Sequence, residues 1–184
     1  AKTTAAAAAA SGYSAAMAHT LQVHVDSMVH DFNASGIPWK GMQCRNLWAG
    51  GTGVLYALPA LVCPTWPERA MWCVQAFLSV WADYFHIHHD SIAHGLDRWY
   101  ATAMVVRMIY VSYYGLNPWS ALLVVIPMFC YVSGNKAKTR KDLAGWHFWH
   151  CWWHITGGFM TFAIMGLIHE RWGWDVEKGA LYFN

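Results

Sequence analysis

Residues 145–158 read GWHFWHCWWHITGG. His147, His150 and His154 recur at intervals of three and four, which puts their side chains on one face of a helix. Trp146, Trp149, Trp152 and Trp153 are interleaved with them. Three imidazoles on one stripe of an apolar helix need partners, and the rest of the chain must supply them.

The composition says what kind of helix this is. Of 184 residues, 57% are hydrophobic and 12% charged, with 13 tryptophans. A soluble domain averages about 25% charged residues. The reading is a single all-α, polytopic membrane bundle. A net charge of +2 gives no sign of nucleic-acid binding. Five cysteines (Cys44, Cys63, Cys73, Cys130, Cys151) are an odd number without a CxxC pair, so small buried hydrophobes are expected rather than a disulfide framework.

Outward from the histidines, five apolar segments are bounded by Pro, Gly or charge: 45–63, 67–86, 94–114, 118–133 and 145–168. A span needs roughly 20 apolar residues, with about 17 as the lower limit. The fourth, carrying Pro127, stands at that limit. Residues 45–168 are therefore read as the bundle and 169–184 as a polar C-terminal tail. Upstream, Leu21, Val25, Met28, Val29 and Phe32 mark a short amphipathic helix in a juxtamembrane stretch, 21–44. Residues 1–20 are an Ala-rich tail that suits what a removed targeting peptide leaves behind. Lys136, Lys138, Arg140 and Lys141, with Lys40 and Arg45, outweigh Arg69, Arg171 and Lys178, so the basic face is cytoplasmic or its organellar equivalent.

This topology gathers ionisable residues at the basic side and nothing comparable at the other. Ser79 and Asp83 close the second segment, His94, Asp97 and Arg98 open the third, and the histidines open the fifth. Ionisable groups within a bilayer are costly and point to function. His150 and His154, at i and i+4, can share a metal ion, with His94 as third ligand. Asp83 or Asp97 could orient an imidazole or accept a proton. Ser79 could donate to an oxyanion. The plainer alternatives are an interfacial anchor for His147, structural hydrogen bonds for the other histidines, and an Asp97–Arg98 ion pair. For Trp146, Trp149 and Trp153 the plain reading is lipid or partner packing. The small-residue run AGGTG (49–53) reads as close helix packing. Arg107, mid-span, must snorkel, pair with an acid or face a partner.

FLSVWADYF, HGLDRWYATA and WHFWHCWWHITGG resemble the CREST superfamily of membrane hydrolases, which includes alkaline ceramidases, progestin and adiponectin receptors and GPI-remodelling lipases. The resemblance covers about 90 residues. It implies zinc held by three His, two of them as HxxxH in the last helix, here His150 and His154, and hydrolysis of a lipid amide or ester. The family pattern is Ser, His four residues on, then Asp eleven further. This chain has Ser79, Asp83 and His94, with His and Asp exchanged. The family also has seven spans, where five are found here.

Two other functions fit the residues. One is an accessory subunit of an organellar membrane complex, respiratory or photosynthetic, with histidines ligating chlorophyll or haem. The other is a di-iron desaturase, from HIHHD (86–90), although its histidine boxes are incomplete.

Overall fold

The fold was taken from a computed structural model, which describes residue 18, residues 21–26 and residues 28–172, except the side chains of residues 171 and 172. The Ala-rich tail and most of the expected C-terminal tail lie outside the described residues. Among the described residues every regular element is helical, as expected. Residues 21–26 and 28–29 are helical as well.

Five rods follow, and each falls on one of the five apolar segments. α1 (Leu47–Leu61) starts as an α-helix and tightens into a 3₁₀ winding from Thr52. α2 (Trp66–Val80) opens into a π turn at Trp81–Phe85. α3 is Ile92–Gly115, α4 is Pro118–Thr139 and α5 is Leu143–Trp172. Two of them, α4 and Leu143–Glu170 of α5, are long and apolar enough to cross a membrane. The segment that stood at the length limit is therefore one of the two that qualify. Pro127 does not break it, because it lies in the first turn after a 3₁₀ stretch, where its missing N–H costs little.

Local chemistry sets the boundaries. The Asn46 side chain accepts from the N–H groups of Trp48 and Ala49, Ser91 from Ala93, and Asn117 from Ser120, each capping a helix start. Pro67 and Glu68 sit in the first turn of α2, where a missing N–H and a negative charge are both favoured.

Two buried apolar clusters mark the ends of the bundle. Ile37, Cys44, Ile87, Ala137 and Trp146 bring the start of α5, the end of α4 and the α2–α3 loop to one end. Cys63, Trp72, Met104, Met108, Val111, Ile164, Met165 and Ile168 fill the other. Trp146 is thus a core residue at 5% exposure, not a lipid-facing one. Trp149 packs edge-on to Phe129 and Trp153 against Tyr131. Among the described side chains, the exposed aromatics of α5 are Phe148, Trp152 and Phe159.

α1 is wedged between α2 and α5 by glycines. A Cβ on Gly53 would stand 2.9 Å from Ser79 Oγ, and one on Gly158 would stand 2.8 Å from the Leu55 backbone oxygen. Backbone cannot yield as a side-chain tip can, so Gly158→Val is expected to destabilise the bundle by at least about 2 kcal/mol through overpacking. Denaturant unfolding of the detergent-solubilised protein followed by circular dichroism measures this. A midpoint equal to that of the wild type would contradict the α1–α5 contact.

Candidate metal centre

The π turn after α2 aims Asp83 inward. His86 N–H bonds Trp81 O at 3.2 Å, the five-residue closure that widens the turn. Such turns recur at functional sites. Arg45, just before α1, secures it by donating Nε to Tyr84 O at 3.0 Å and Nη2 to Phe85 O at 3.2 Å.

From this turn Asp83 Oδ2 meets His150 Nε2 at 3.0 Å and His154 Nε2 at 3.4 Å. Ser79, one turn earlier on α2, places Oγ 3.3 Å from the same His154 nitrogen. Ser79 and His154 are buried at 2% and 1% exposure. Thr52 completes the set from α1, with Oγ1 3.2 Å from His154 Nδ1.

The Thr52 hydroxyl selects the tautomer of a neutral His154. The Thr52 hydroxyl has one hydrogen and donates it to Trp48 O at 2.6 Å. It therefore offers His154 a lone pair, and Nδ1 carries the imidazole proton. Whereas a doubly protonated ring would donate Nε2–H to the Asp83 carboxylate, in the neutral ring the Nε2 lone pair faces it at 3.4 Å, acceptor against acceptor. The Ser79 hydroxyl can satisfy only one of the two. Lone pairs from a carboxylate and an imidazole converging on one point are what a cation relieves. The Nδ1–H to Thr52 bond is the outer contact that fixes a ligating imidazole's tautomer.

The same geometry excludes a serine-nucleophile relay. That relay needs Ser and Asp on opposite nitrogens of one imidazole. Here Ser79 and Asp83 share Nε2, and Nδ1 belongs to Thr52.

Not every residue expected at the site reaches it. His94 is buried, but its Nε2 lies 3.1 Å from both His86 O and His89 O, where it holds the α2–α3 loop. Asp97 Oδ1 accepts from Gln75 Nε2 at 3.3 Å. Arg98 is not the ion-pair partner of Asp97. It donates to Asp31 O, Phe32 O and Ala34 O at 2.7–2.8 Å and ties residues 31–34 to α3. His147 Nε2 donates to Cys44 O at 3.2 Å. His86, His88 and His89 follow the π turn, where His86 Nδ1 meets His89 Nε2 at 3.0 Å, and none of them belongs to the Asp83–His150–His154 group. In that loop the Ser35 N–H bonds Asp90 and holds its carboxyl below the usual carboxylate range.

Two members of the site were not visible in the sequence. Thr52 arrives through the 3₁₀ winding of α1, and Tyr56, one turn on, sets its ring edge-on to His154 at 5.5 Å. Tyr56 also lines a narrow apolar crevice with Gln75, Met104, Met108, Trp153 and Ile164. Gln75 Oε1 is enclosed there without a hydrogen-bond partner. The crevice reaches Ile109 and Leu123, both exposed on the apolar flank.

Two groups of side chains among the described residues could hold a metal ion. Their ligand atoms lie within 4.8 Å of one another: Asp83, His150 and His154 in one group, and Cys63, Glu68 and His169 in the other. The second corrects the expectation that polar residues gather at one end only. No family model matches the chain, and neither a curated protein nor a solved structure does.

Proposed function

We propose that the chain is a five-span integral membrane protein whose Asp83–His150–His154 centre holds zinc and hydrolyses a lipid amide or ester. The carrying observation is the convergence of His154 Nε2, His150 Nε2 and the Asp83 carboxylate on one point. Two imidazoles and a carboxylate are an ordinary zinc donor set that leaves a position open.

Helix dimensions support five spans. At about 2.0 Å rise in its 3₁₀ part and 1.5 Å in its first turns, α1 is about 27 Å long. α2 with its π turn is about 30 Å, and α3 about 36 Å. All are close to or above a hydrocarbon core of about 30 Å. Of the groups that lower the hydropathy of α2 and α3, Glu68, Asp83, Asp97 and Arg107 are turned into the bundle, while Arg69 and Arg98, nearer the helix ends, donate to backbone carbonyls. Residues 21–26 and 28–29 fit an amphipathic helix at the membrane surface, with Leu21, Val25 and Val29 exposed and Met28 packed inward.

Zinc bound at this centre supplies Lewis-acid polarisation of a carbonyl and a water acidic enough to attack at neutral pH. The chain's own residues do the rest. His150 and His154 are held from α5, and Asp83 stands where the CREST pattern has its first His. Ser79 O–H is placed to donate to the oxyanion that develops on the carbonyl. The crevice beside Tyr56 offers an apolar slot for an acyl chain, and Gln75 Oε1 offers an acceptor for an amide N–H or a hydroxyl.

The test is zinc content together with hydrolysis of ceramides and lysophospholipids in mixed micelles, wild type beside His150→Ala/His154→Ala. Zinc-dependent hydrolysis in the wild type, at background in the double variant, is expected. A folded, zinc-loaded wild type that cleaves none of these lipids sinks the hydrolase reading and leaves an accessory membrane subunit.

A further inference from the structure

At the end of the bundle away from Asp83, the turn after α1 and helices α2, α3 and α5 bring four ionisable residues together: Cys63, Glu68, Arg107 and His169. Glu68 and His169 each stand 15 residues from Asp83 and His154 on their own chains of helix, about 22 Å at 1.5 Å per residue. Cys63 is 0% exposed, Glu68 4% and His169 5%. We propose that Cys63, Glu68 and His169 form a second metal centre, for a divalent ion of the zinc class. This centre is separate from the lipid chemistry proposed above.

The donor set is a thiolate, a carboxylate and an imidazole, a combination that suits zinc and disfavours magnesium or calcium. Their ligand atoms lie within 4.8 Å of one another. Ligands around tetrahedral zinc, at about 2.0–2.3 Å from the ion, stand roughly 3.3–3.8 Å apart. Closing on an ion therefore needs movements of about an ångström.

The surroundings orient each ligand. Arg107 Nη2 donates to Glu68 Oε1, which turns Oε2 toward His169 Nε2 at 3.5 Å. That imidazole nitrogen is enclosed but makes no well-formed hydrogen bond, an expensive state for a buried polar atom. Cys63 is pinned on both sides. Its N–H bonds Pro59 O at 3.1 Å, and its carbonyl accepts Arg69 Nε at 2.7 Å. Binding forms a metal–sulfur bond and sends the Cys63 thiol proton to solvent. Thiolate and carboxylate then balance the two charges of the ion, while Arg107 keeps its bond to Oε1. Fixing α1, α2 and α5 together in this way is a structural role.

Cobalt separates this centre from the first, because only this one contains sulfur. The full chain in detergent, stripped of metal, is titrated with Co²⁺ while the near-ultraviolet thiolate-to-cobalt charge-transfer band is followed. The band is expected to reach the same height in the wild type and in His150→Ala/His154→Ala, saturating at about one ion per chain in the double variant and by about two in the wild type, where the first centre takes cobalt as well. It is expected to vanish in Cys63→Ser and to need at least about tenfold more cobalt in His169→Gln. A folded wild type with no such band overturns the proposal without any variant. So does a band that persists in Cys63→Ser, since it would come from another thiol.

Discussion

Asp83→Asn is expected to lower zinc affinity at the Asp83–His150–His154 centre by more than about 100-fold, and Asp83→His to retain it. Outer-shell changes at zinc sites already cost about 10–100-fold, so loss of a direct ligand costs more. Asparagine keeps the shape of aspartate but removes its charge. Histidine brings back a strong neutral donor at the position where the CREST pattern has one. His94→Ala is expected to leave affinity unchanged, because its Nε2 is already committed to His86 O and His89 O. Isothermal titration with zinc, in a Cys63→Ser background so that one centre is counted, measures all three. Equal affinity for the wild type and Asp83→Asn would remove Asp83 from the ligand set. A loss in His94→Ala would restore the ligand set expected from the sequence.

That reassignment shows where sequence reasoning reaches and where it stops. The helices were legible because apolar runs are bounded by Pro, Gly or charge, and the structure adds side-chain caps at three of those boundaries, Asn46, Ser91 and Asn117. His150 and His154 were legible because a spacing of four places two imidazoles together on any helix. Asp83 was legible as a neighbour of Ser79, but its meeting with both histidines depends on a π turn that no spacing rule anticipates. His94 has the right residue type at the right end of the bundle, yet it turns to the carbonyls of a loop. Thr52 and Tyr56 could not be found in advance, because a 3₁₀ winding rotates side chains differently from an α-helix and changes which of them face α5. The second cluster was invisible for another reason. Its members lie on three helices and the turn after α1, Arg107 read as a lone charge, and His169 fell in the expected polar tail. The helix instead continues to Trp172, which carries His169 into the core.

Arg107 makes the strongest claim on stability. Its side chain is 15% exposed and that of Glu68 6%, so their ion pair is largely removed from solvent. Breaking such a pair from one side typically costs about 3–5 kcal/mol, because a charge stays buried without its counter-charge. Glu68→Gln is therefore expected to destabilise the metal-free protein by that amount. Replacing both partners by apolar residues of similar volume removes the pair and its desolvation cost together, and is often close to neutral. Glu68→Met/Arg107→Met is thus expected to be more stable than Glu68→Gln. Denaturant unfolding in detergent, with metal chelated throughout, measures both. Chelation matters because a metal held by Cys63, Glu68 and His169 would add its own linkage to folding. If Glu68→Gln proves as stable as the wild type, water reaches Arg107 and the cluster is not a closed interior site. If the double variant is the least stable of the three, the four ionisable side chains act as one network rather than as a pair, with His169 and Cys63 relying on the Glu68 carboxylate even without an ion.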